Sequence, residues 1–229
     1  MLDYLGLRRT MSGVLKLVAL FLASRGAVVE ATDLYPYFIA LCQRAKKCDK
    51  KLNACLRFGI ADGRALPYPD RTFDSAYALS VVEHIENEGD TRAIREMACV
   101  LKPGGRLCLT VPFAVEYRES MTTEPLYYKQ GGPAAPVFYQ RHYDVRALEQ
   151  RLIKPSGLTV IHRSFYGERY VAVEEALERL PVPLRAGIGP MLPILSACFL
   201  TRLNEAKLNH AISACLTLEK APQAVGPKS

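Results

Sequence analysis

The stretch from Asp62 to Pro112, with Ala61 before it, reads Ala-Asp-Gly at 61–63, Phe-Asp-Ser-Ala-Tyr-Ala-Leu-Ser at 73–80, Val-Val-Glu-His-Ile at 81–85 and Leu-Lys-Pro-Gly-Gly-Arg-Leu at 101–107. A carboxylate follows one apolar strand. A second strand ends in a small hydroxyl residue and opens a turn. A helix then stops at Lys-Pro-Gly-Gly, and a third strand begins. Strands alternating with helices, with polar groups gathered at strand ends, predict an open α/β sheet that binds its ligand beyond those ends.

The same alternation extends outward. Val14–Ser24 carries Leu15, Val18 and Leu22 on a helical period and ends at Arg25-Gly26. Ala27–Thr32 is a short β-branched run closing at Asp33. Tyr35–Lys47 reads as a second helix, its basic end at Arg44, Lys46 and Lys47 matching the helix dipole. Cys55–Ile60, Phe73–Ser80 and Gly105–Val111 read as strands, and Asp90–Leu101 as a helix. Beyond Phe113 the pattern loosens. Glu116–Tyr139 is rich in Pro, Gly and Tyr and reads as a long loop or cap. Val145–Leu152 is a short helix, and Leu158–Phe165 and Ile212–Glu219 are strands. The predicted division is a core over 1–165, an apolar helical insert or cap over 166–210, a last core strand over 211–220 and a disordered tail over 221–229.

The composition is that of a globular protein: 229 residues, 49% hydrophobic and 23% charged, with a net charge of +7. The basic excess reads as a solvated face. Nucleic-acid binding would rest on that charge and the Arg44–Lys51 run alone, so none is expected. The seven cysteines include no Cys-x-x-Cys pair, which excludes ordinary metal-site spacing and predicts reduced core thiols and a cytoplasmic location. Val14–Ala23 is apolar behind Arg8 and Arg9, yet no small-residue cleavage site follows, so it does not read as a signal peptide. Ala186–Thr201 holds sixteen residues without a charge. Pro190 and Pro193 interrupt it, and a spanning helix needs about twenty apolar residues. It reads as an apolar cap, with peripheral membrane contact through 186–201 as the alternative.

Asp33 and Asp62 sit about thirty residues apart at successive strand ends, a placement that fits one nucleoside lying across the sheet edge. Asp33 can accept hydrogen bonds from ribose hydroxyls or cap the helix at Tyr35. Asp62 can accept from an exocyclic amine or form the turn before Gly63. Both readings stand for each. His84 is the best-placed proton acceptor, and a turn-holding role competes with that. His142, next to Arg141, is a second candidate on the presumed cap. Arg141 itself would suit a substrate carboxylate or phosphate, and ordinary cap packing of the cluster is the favoured reading beside it.

The ordered series Ala31-Thr32-Asp33-Leu34, Ala61-Asp62-Gly63, Leu66-Pro67-Tyr68-Pro69-Asp70 with Phe73-Asp74, Ser80 with Glu83-His84-Ile85, and Leu101-Lys102-Pro103-Gly104-Gly105 resembles the class I S-adenosylmethionine-dependent methyltransferases, most of all the small-molecule branch called the type 11 methyltransferase domain. The match covers about Ala19 to Phe113. The resemblance implies a doubly wound, mostly parallel Rossmann-like sheet whose last strand is antiparallel. It implies S-adenosylmethionine as cofactor, held by Asp33, Leu34, Asp62, Gly63, Ser80 and Val81, with His84 facing the substrate as the catalytic residue and no metal. The acceptor would be a small molecule, lipid or saccharide.

One departure stands out. The family's first strand leads into an acidic-x-Gly-x-Gly-x-Gly loop, whose glycines let the backbone approach the cofactor. Counting back from Asp33 lands near Ser12–Lys16, where Gly13 is the one glycine. Leu2-Asp3-Tyr4-Leu5-Gly6 keeps an acid and a glycine but lies too far upstream. The alternative expectation is therefore a truncated or non-catalytic methyltransferase-like protein. A nicotinamide-dependent Rossmann enzyme would also use Asp33, but Lys-Pro-Gly-Gly is foreign to it.

Overall fold

The computed structural model describes residues 11–37, 39–40, 43, 54–123, 135–168, 200–203 and 205–223. The chain divides into two compact units, Met1–Asp62 with Tyr170–Phe199, and Gly63–Arg169 with Leu200–Ser229.

In the first unit, helix α1 (Met11–Ser24) runs to Arg25-Gly26. Gly26 takes φ +92 there, and the N–H groups of Gly26 and Ala27 return to the carbonyls of Ala23 and Leu22. A left-handed residue closing the last helical turn is what glycine permits at no steric cost. Strands β1 (Val29–Asp33) and β2 (Leu56–Ile60) pair in parallel, from Val29 opposite Leu56 to Asp33 opposite Ile60. Ala19 and Ala23 of α1 pack with Val29 and Leu56 into a small core. The Ser12–Lys16 stretch, where the spacing from Asp33 would put a glycine loop, lies inside α1, so Gly13 belongs to a helix. Residues 36, 37, 39, 40 and 43 are helical, as expected from Tyr35 onward. The remainder of that expected helix lies outside the described residues.

The second unit is built on a five-stranded sheet. It joins β3 (Phe73–Leu79), β4 (Leu101–Pro112), β7 (Thr159–Glu168), β8 (Leu200–Leu203) and β9 (Ser213–Glu219) in the order β3-β4-β9-β7-β8. β3 and β4 are parallel, whereas β9 runs antiparallel to both of its neighbours, β4 and β7. The sheet is mixed: parallel toward β3 and antiparallel toward β8. The strand expected at 212–219 is the antiparallel one. Helix α2 (Gly89–Val100) precedes β4. Helix α3 follows residue 144 as Val145–Ala147, a π-helical Leu148–Ile153 and Lys154–Ser156. The period-2 alternation of β4 and β9 puts Leu107, Leu109, Val111, Ala214, Leu216 and Leu218 on one face. There they form one core with Ala93, Ile94, Leu148 and Leu152. Cys108, Thr110, Cys215 and Thr217 take the opposite, half-buried face.

Three expectations need correction. The helix ends at Val100, as expected, but the Lys-Pro-Gly-Gly segment lies inside the next strand and not before it. β4 already starts at Leu101, opposite Phe73, and the register then jumps so that Ser75 faces Arg106. Lys102–Gly105 forms the excursion. Gly104 takes φ +77, and a Cβ on Gly105 would stand 2.8 Å from the Lys102 carbonyl oxygen. Second, the presumed loop 116–139 contains half of an antiparallel hairpin, β5 (Arg118–Thr122) against β6 (Val137–His142). Residues 124–134 lie outside the described residues. Third, β7 and β8 carry the core sheet into the segment read as an insert, with Phe165 opposite Leu203 and Glu168 opposite Leu200. Of the uncharged run 186–201, only Leu200 and Thr201 are described. Of the tail, residues 221–223 are described and have no regular structure. Among the described residues no helix is long and apolar enough to cross a membrane.

Candidate functional site

Asp33 closes β1, and the chain after β2 returns to the same place, since the Ala61 N–H donates to the Asp33 carbonyl at 3.2 Å. Parallel pairing thus brings Asp33 and Asp62 to the same end of two adjacent strands. Both are half-buried, and Leu34 beside them is exposed. The Tyr35 N–H donates to Asp33 Oδ1 at 2.8 Å, so the carboxylate holds the start of the following helix. The capping role is therefore realised. A carboxylate has about four lone-pair sites, so capping and ligand binding are compatible roles for such a group.

In the second unit, the turn after β3 gathers Ser80, Val81 and His84. The Ser80 N–H still donates to Thr110 O at 2.9 Å, as a last ladder bond. Its φ of 51 then swings the chain out of the sheet. A left-handed serine costs roughly 1 kcal/mol or more, and such outliers cluster at functional sites. Val82–His84 make one 3-10 turn. Gly63 comes to the same place, for a Cβ on it would meet Ala93 Cβ at 3.7 Å and Ile85 Cδ1 at 3.8 Å. These are ordinary contacts, so no steric need for glycine arises from them. Gly63, Ser80 and Val81 are all half-buried.

His84 looks inward. Its Nδ1 lies 2.8 Å from the Tyr139 carbonyl, which can only accept, so Nδ1 carries the proton. Nε2 lies 3.8 Å from Glu83 Oε1. The imidazole therefore pins the turn to β6, and its ring rests against the Tyr139 ring at 5.3 Å. Glu83 is fully buried, and among the described residues neither of its oxygens has a hydrogen-bond partner. Burial pushes its pKa up to about 8. Its own N–H and the Ser80 hydroxyl pull the other way without reaching bonding geometry. The sequence reading missed Glu83. Its one signal was an acidic residue between Val82 and Ile85, two apolar side chains that pack into the core.

Of the two readings of Arg141, substrate ligand and packing, the structure realises packing. It is completely buried, donating through Nε to Glu119 at 3.1 Å and through its two terminal nitrogens to the carbonyls of Ile85 and Asn87. Arg151 reinforces it, pairing with both oxygens of buried Asp90 at 2.8 Å, and Tyr143 donates to Asp90 Oδ2 at 2.9 Å. The turn carrying Ser80–Ile85 is thus clamped by residues from β6 and α3. His142 sits against Ser120 and Gln140. Burial, aided by the nearby Arg118 charge, lowers its pKa. Among the described residues, no group of three His, Cys, Asp or Glu converges as a metal site would require.

The adenosine half of S-adenosylmethionine suits this donor set, because hydroxyl and amine donors need carboxylate acceptors at strand ends. For the methionine half, no glycine-rich strand-to-helix loop occurs among the described residues, α1 occupying the corresponding positions.

Comparison with known proteins finds these positions inside a matched segment. A methyltransferase-domain family model matches residues 13–109, which include Asp33, Asp62, Ser80 and His84. A 27-O-demethylrifamycin SV methyltransferase of Amycolatopsis mediterranei is 46% identical over 66 residues, covering 29% of this chain and 23% of that protein. The chain thus spans about a quarter of that relative's length. Among solved structures, an S-adenosylmethionine-dependent methyltransferase of Methanosarcina mazei superposes with a TM-score of 0.57 at 15% identity, covering 90% of this chain and 87% of that one. The [4+2]-cyclase SpnF superposes with a TM-score of 0.54 at 20% identity, covering 89% and 70%. At these identities the superpositions establish the fold. Residues 13–109 thus match the methyltransferase-domain model, and the chain shares its fold with a solved S-adenosylmethionine-dependent methyltransferase.

Proposed function

We propose that this protein transfers a methyl group from S-adenosylmethionine to a small-molecule acceptor. The observation that carries this reading is the pair of half-buried carboxylates, Asp33 and Asp62, at the ends of adjacent parallel strands inside the family-matched segment. Asp33, with Leu34 beside it, takes the ribose hydroxyls. Asp62 and Gly63 take the adenine edge. Ser80 and Val81 offer backbone groups to the methionine end.

The cofactor, when bound, supplies an electrophilic methyl on a sulfonium. What the chain supplies is alignment, and holding two reactants in line is worth roughly 7–11 kcal/mol. His84 acts where the acceptor must shed a proton. Its Nε2 bears the lone pair, because Nδ1 is committed to Tyr139. Since Nε2 is turned inward beside Glu83, proton acceptance requires the ring to swing toward the acceptor. An acceptor that needs no base leaves His84 as a tie for the turn. Similarity to a rifamycin-type methyltransferase supports a small organic acceptor over a nucleic acid. Membrane contact through 186–201 and a cytoplasmic location remain part of the proposal.

Titration calorimetry with S-adenosylhomocysteine tests it: saturable one-to-one binding is expected, weakened in Asp33→Ala. A folded sample that shows no heat at millimolar ligand overturns the reading. A second reading is a methyltransferase fold without methyl transfer. It draws support from the helical Ser12–Lys16 stretch and from the superposition on a cyclase of the same fold. Binding without turnover across a panel of hydroxyl, amine and carbon acceptors favours it.

A further inference from the structure

Antiparallel pairing of β4 with β9 sets Cys108 opposite Thr217 and Thr110 opposite Cys215. The two cysteines therefore stand on neighbouring strands, offset by two residues, with their side chains on one face of the sheet. That face is turned away from the core built by Leu107, Leu109, Leu216 and Leu218. Both thiols are free and half-buried there. No short sequence spacing links them, so only the strand register reveals the pair.

Residues offset in this way have Cα atoms about 7–8 Å apart. A disulfide asks for roughly 4.4–6.8 Å, so a direct sulfur–sulfur bond would need the strands to shift. An ion lying between the sulfurs needs no such shift, because two metal–sulfur bonds in line span more than one sulfur–sulfur bond. The thiols also act on one another. Cys215 and then Thr217 favour the ionised form of Cys108 against the opposing effect of burial, and bring its pKa down to about 6. Cys108 in turn pushes that of Cys215 up.

The surroundings decide which ion fits. Tyr77 of β3 stands opposite Cys108, and Ser164 of β7 stands opposite Cys215. Ser164 Oγ lies 2.6 Å from His162 Nε2, which engages that nitrogen. At the end of the same two strands Arg106 and Glu219 neutralise each other at 2.9 Å. A four-coordinate ion such as zinc takes at least three protein ligands. No such group of His, Cys, Asp or Glu occurs among the described residues. Calcium and magnesium require shells of oxygen. Thiolates select copper(I), a soft ion that two sulfurs satisfy.

We propose that Cys108 and Cys215 are the two ligands of a site for a soft monovalent cation of the copper(I) class, on the half-buried face of the second unit's sheet. Binding breaks two S–H bonds. Both electron pairs become metal–sulfur bonds, two protons pass to solvent, and the metal keeps its oxidation state. The site asks nothing of the methyl-transfer reading and stands or falls apart from it.

The test uses the full chain, reduced and free of oxygen, titrated with copper(I) held by a coloured competing chelator. The chain is expected to withdraw the ion from the chelator, and Cys108→Ser and Cys215→Ser are each expected to lose that withdrawal, while Cys99→Ser keeps it. Withdrawal that persists in either of the first two variants overturns the proposal. A second measurement needs no variant: alkylation of the wild-type thiols, read by peptide mass, with and without one equivalent of copper(I). Cys108 and Cys215 are expected to be protected together, with Cys55 and Cys99 labelled at their metal-free rates. Protection of one without the other, protection of neither, or a Cys108–Cys215 disulfide forming in place of ion binding overturns the site.

Discussion

Glu83 sets the sign of a pH effect on stability. Its pKa is raised from 4.5 to about 8 in the folded protein, so the folded state holds a proton that the unfolded state releases near its ordinary value. The stabilisation is fully present below about pH 4.5 and is lost as pH rises through 8, at up to about 1.4 kcal/mol per unit. The denaturation midpoint of wild type should therefore fall more steeply between pH 5 and 8 than that of Glu83→Gln. Parallel slopes would contradict the raised pKa. Asp33 caps the helix at Tyr35 and, on the function proposed above, holds the cofactor ribose, so its removal should show two effects. Asp33→Ala should weaken cofactor binding by about ten- to a hundredfold, as expected for a hydrogen bond to a charged group, and lower stability by about 1 kcal/mol through the lost helix cap. Calorimetry reads the first and chemical denaturation the second. Asp33 was legible in the sequence because strand ends and acids are local features. The burial of Glu83 was not, because it is decided by β6 and α2, elements whose partners lie far away in the chain.

Elements that follow one period were found from sequence alone. β2, β3, β7, β9 and α2 fall within a few residues of their expected ranges, since each buries one face. The hairpin β5–β6 was not found. Its strands alternate poorly, with a register shift between Ser120 and Met121, and the residues linking them are rich in Pro and Gly. Its core contribution comes largely through Arg141, which reads as a surface residue until its partners at Glu119, Ile85 and Asn87 are known. Replacing Arg141 with Ala should cost about 3–5 kcal/mol, because the charge of Asp90 and two backbone carbonyls lose a partner. Urea unfolding measures this, and a loss below about 1 kcal/mol would place Arg141 outside the clamp. At the β4 excursion, Gly105→Ala should also destabilise. Its Cβ would meet backbone oxygens of Lys102 and Asp74 at 2.8 and 3.1 Å, atoms that cannot rotate away.

At the scale of the whole molecule, the match to the methyltransferase-domain model and the Rossmann-like α/β fold were legible from the ordered motifs between Asp33 and Gly105. The division into two units was not, because it depends on which strands pair. β1 joins β2, and β3 joins β4, in separate sheets. A ligand that binds only the folded chain should raise its stability by mass action. S-adenosylhomocysteine at a hundred times its dissociation constant should add about 2.7 kcal/mol, or roughly 5–10 °C in Tm for a chain of this size. Scanning calorimetry with and without ligand checks it, and an unchanged Tm would argue against cofactor binding.

β9 lies between β4 and β7 although both precede it in the sequence; Glu219, opposite Arg106, is 113 residues downstream of it. Lys220, just past β9, also donates its ammonium to the carbonyls of Ala98, Cys99 and Leu101, which closes the end of α2. A ribosome delivers both flanking strands before the one that zips them together. Until residues 213–220 emerge, β4 and β7 each present a raw apolar edge to the cell, a state that invites chaperones or wrong partners. Vectorial synthesis thus makes this short segment the last strand of the described sheet to be delivered. Changes within it should depress the yield of folded protein more than equally buried changes in α2.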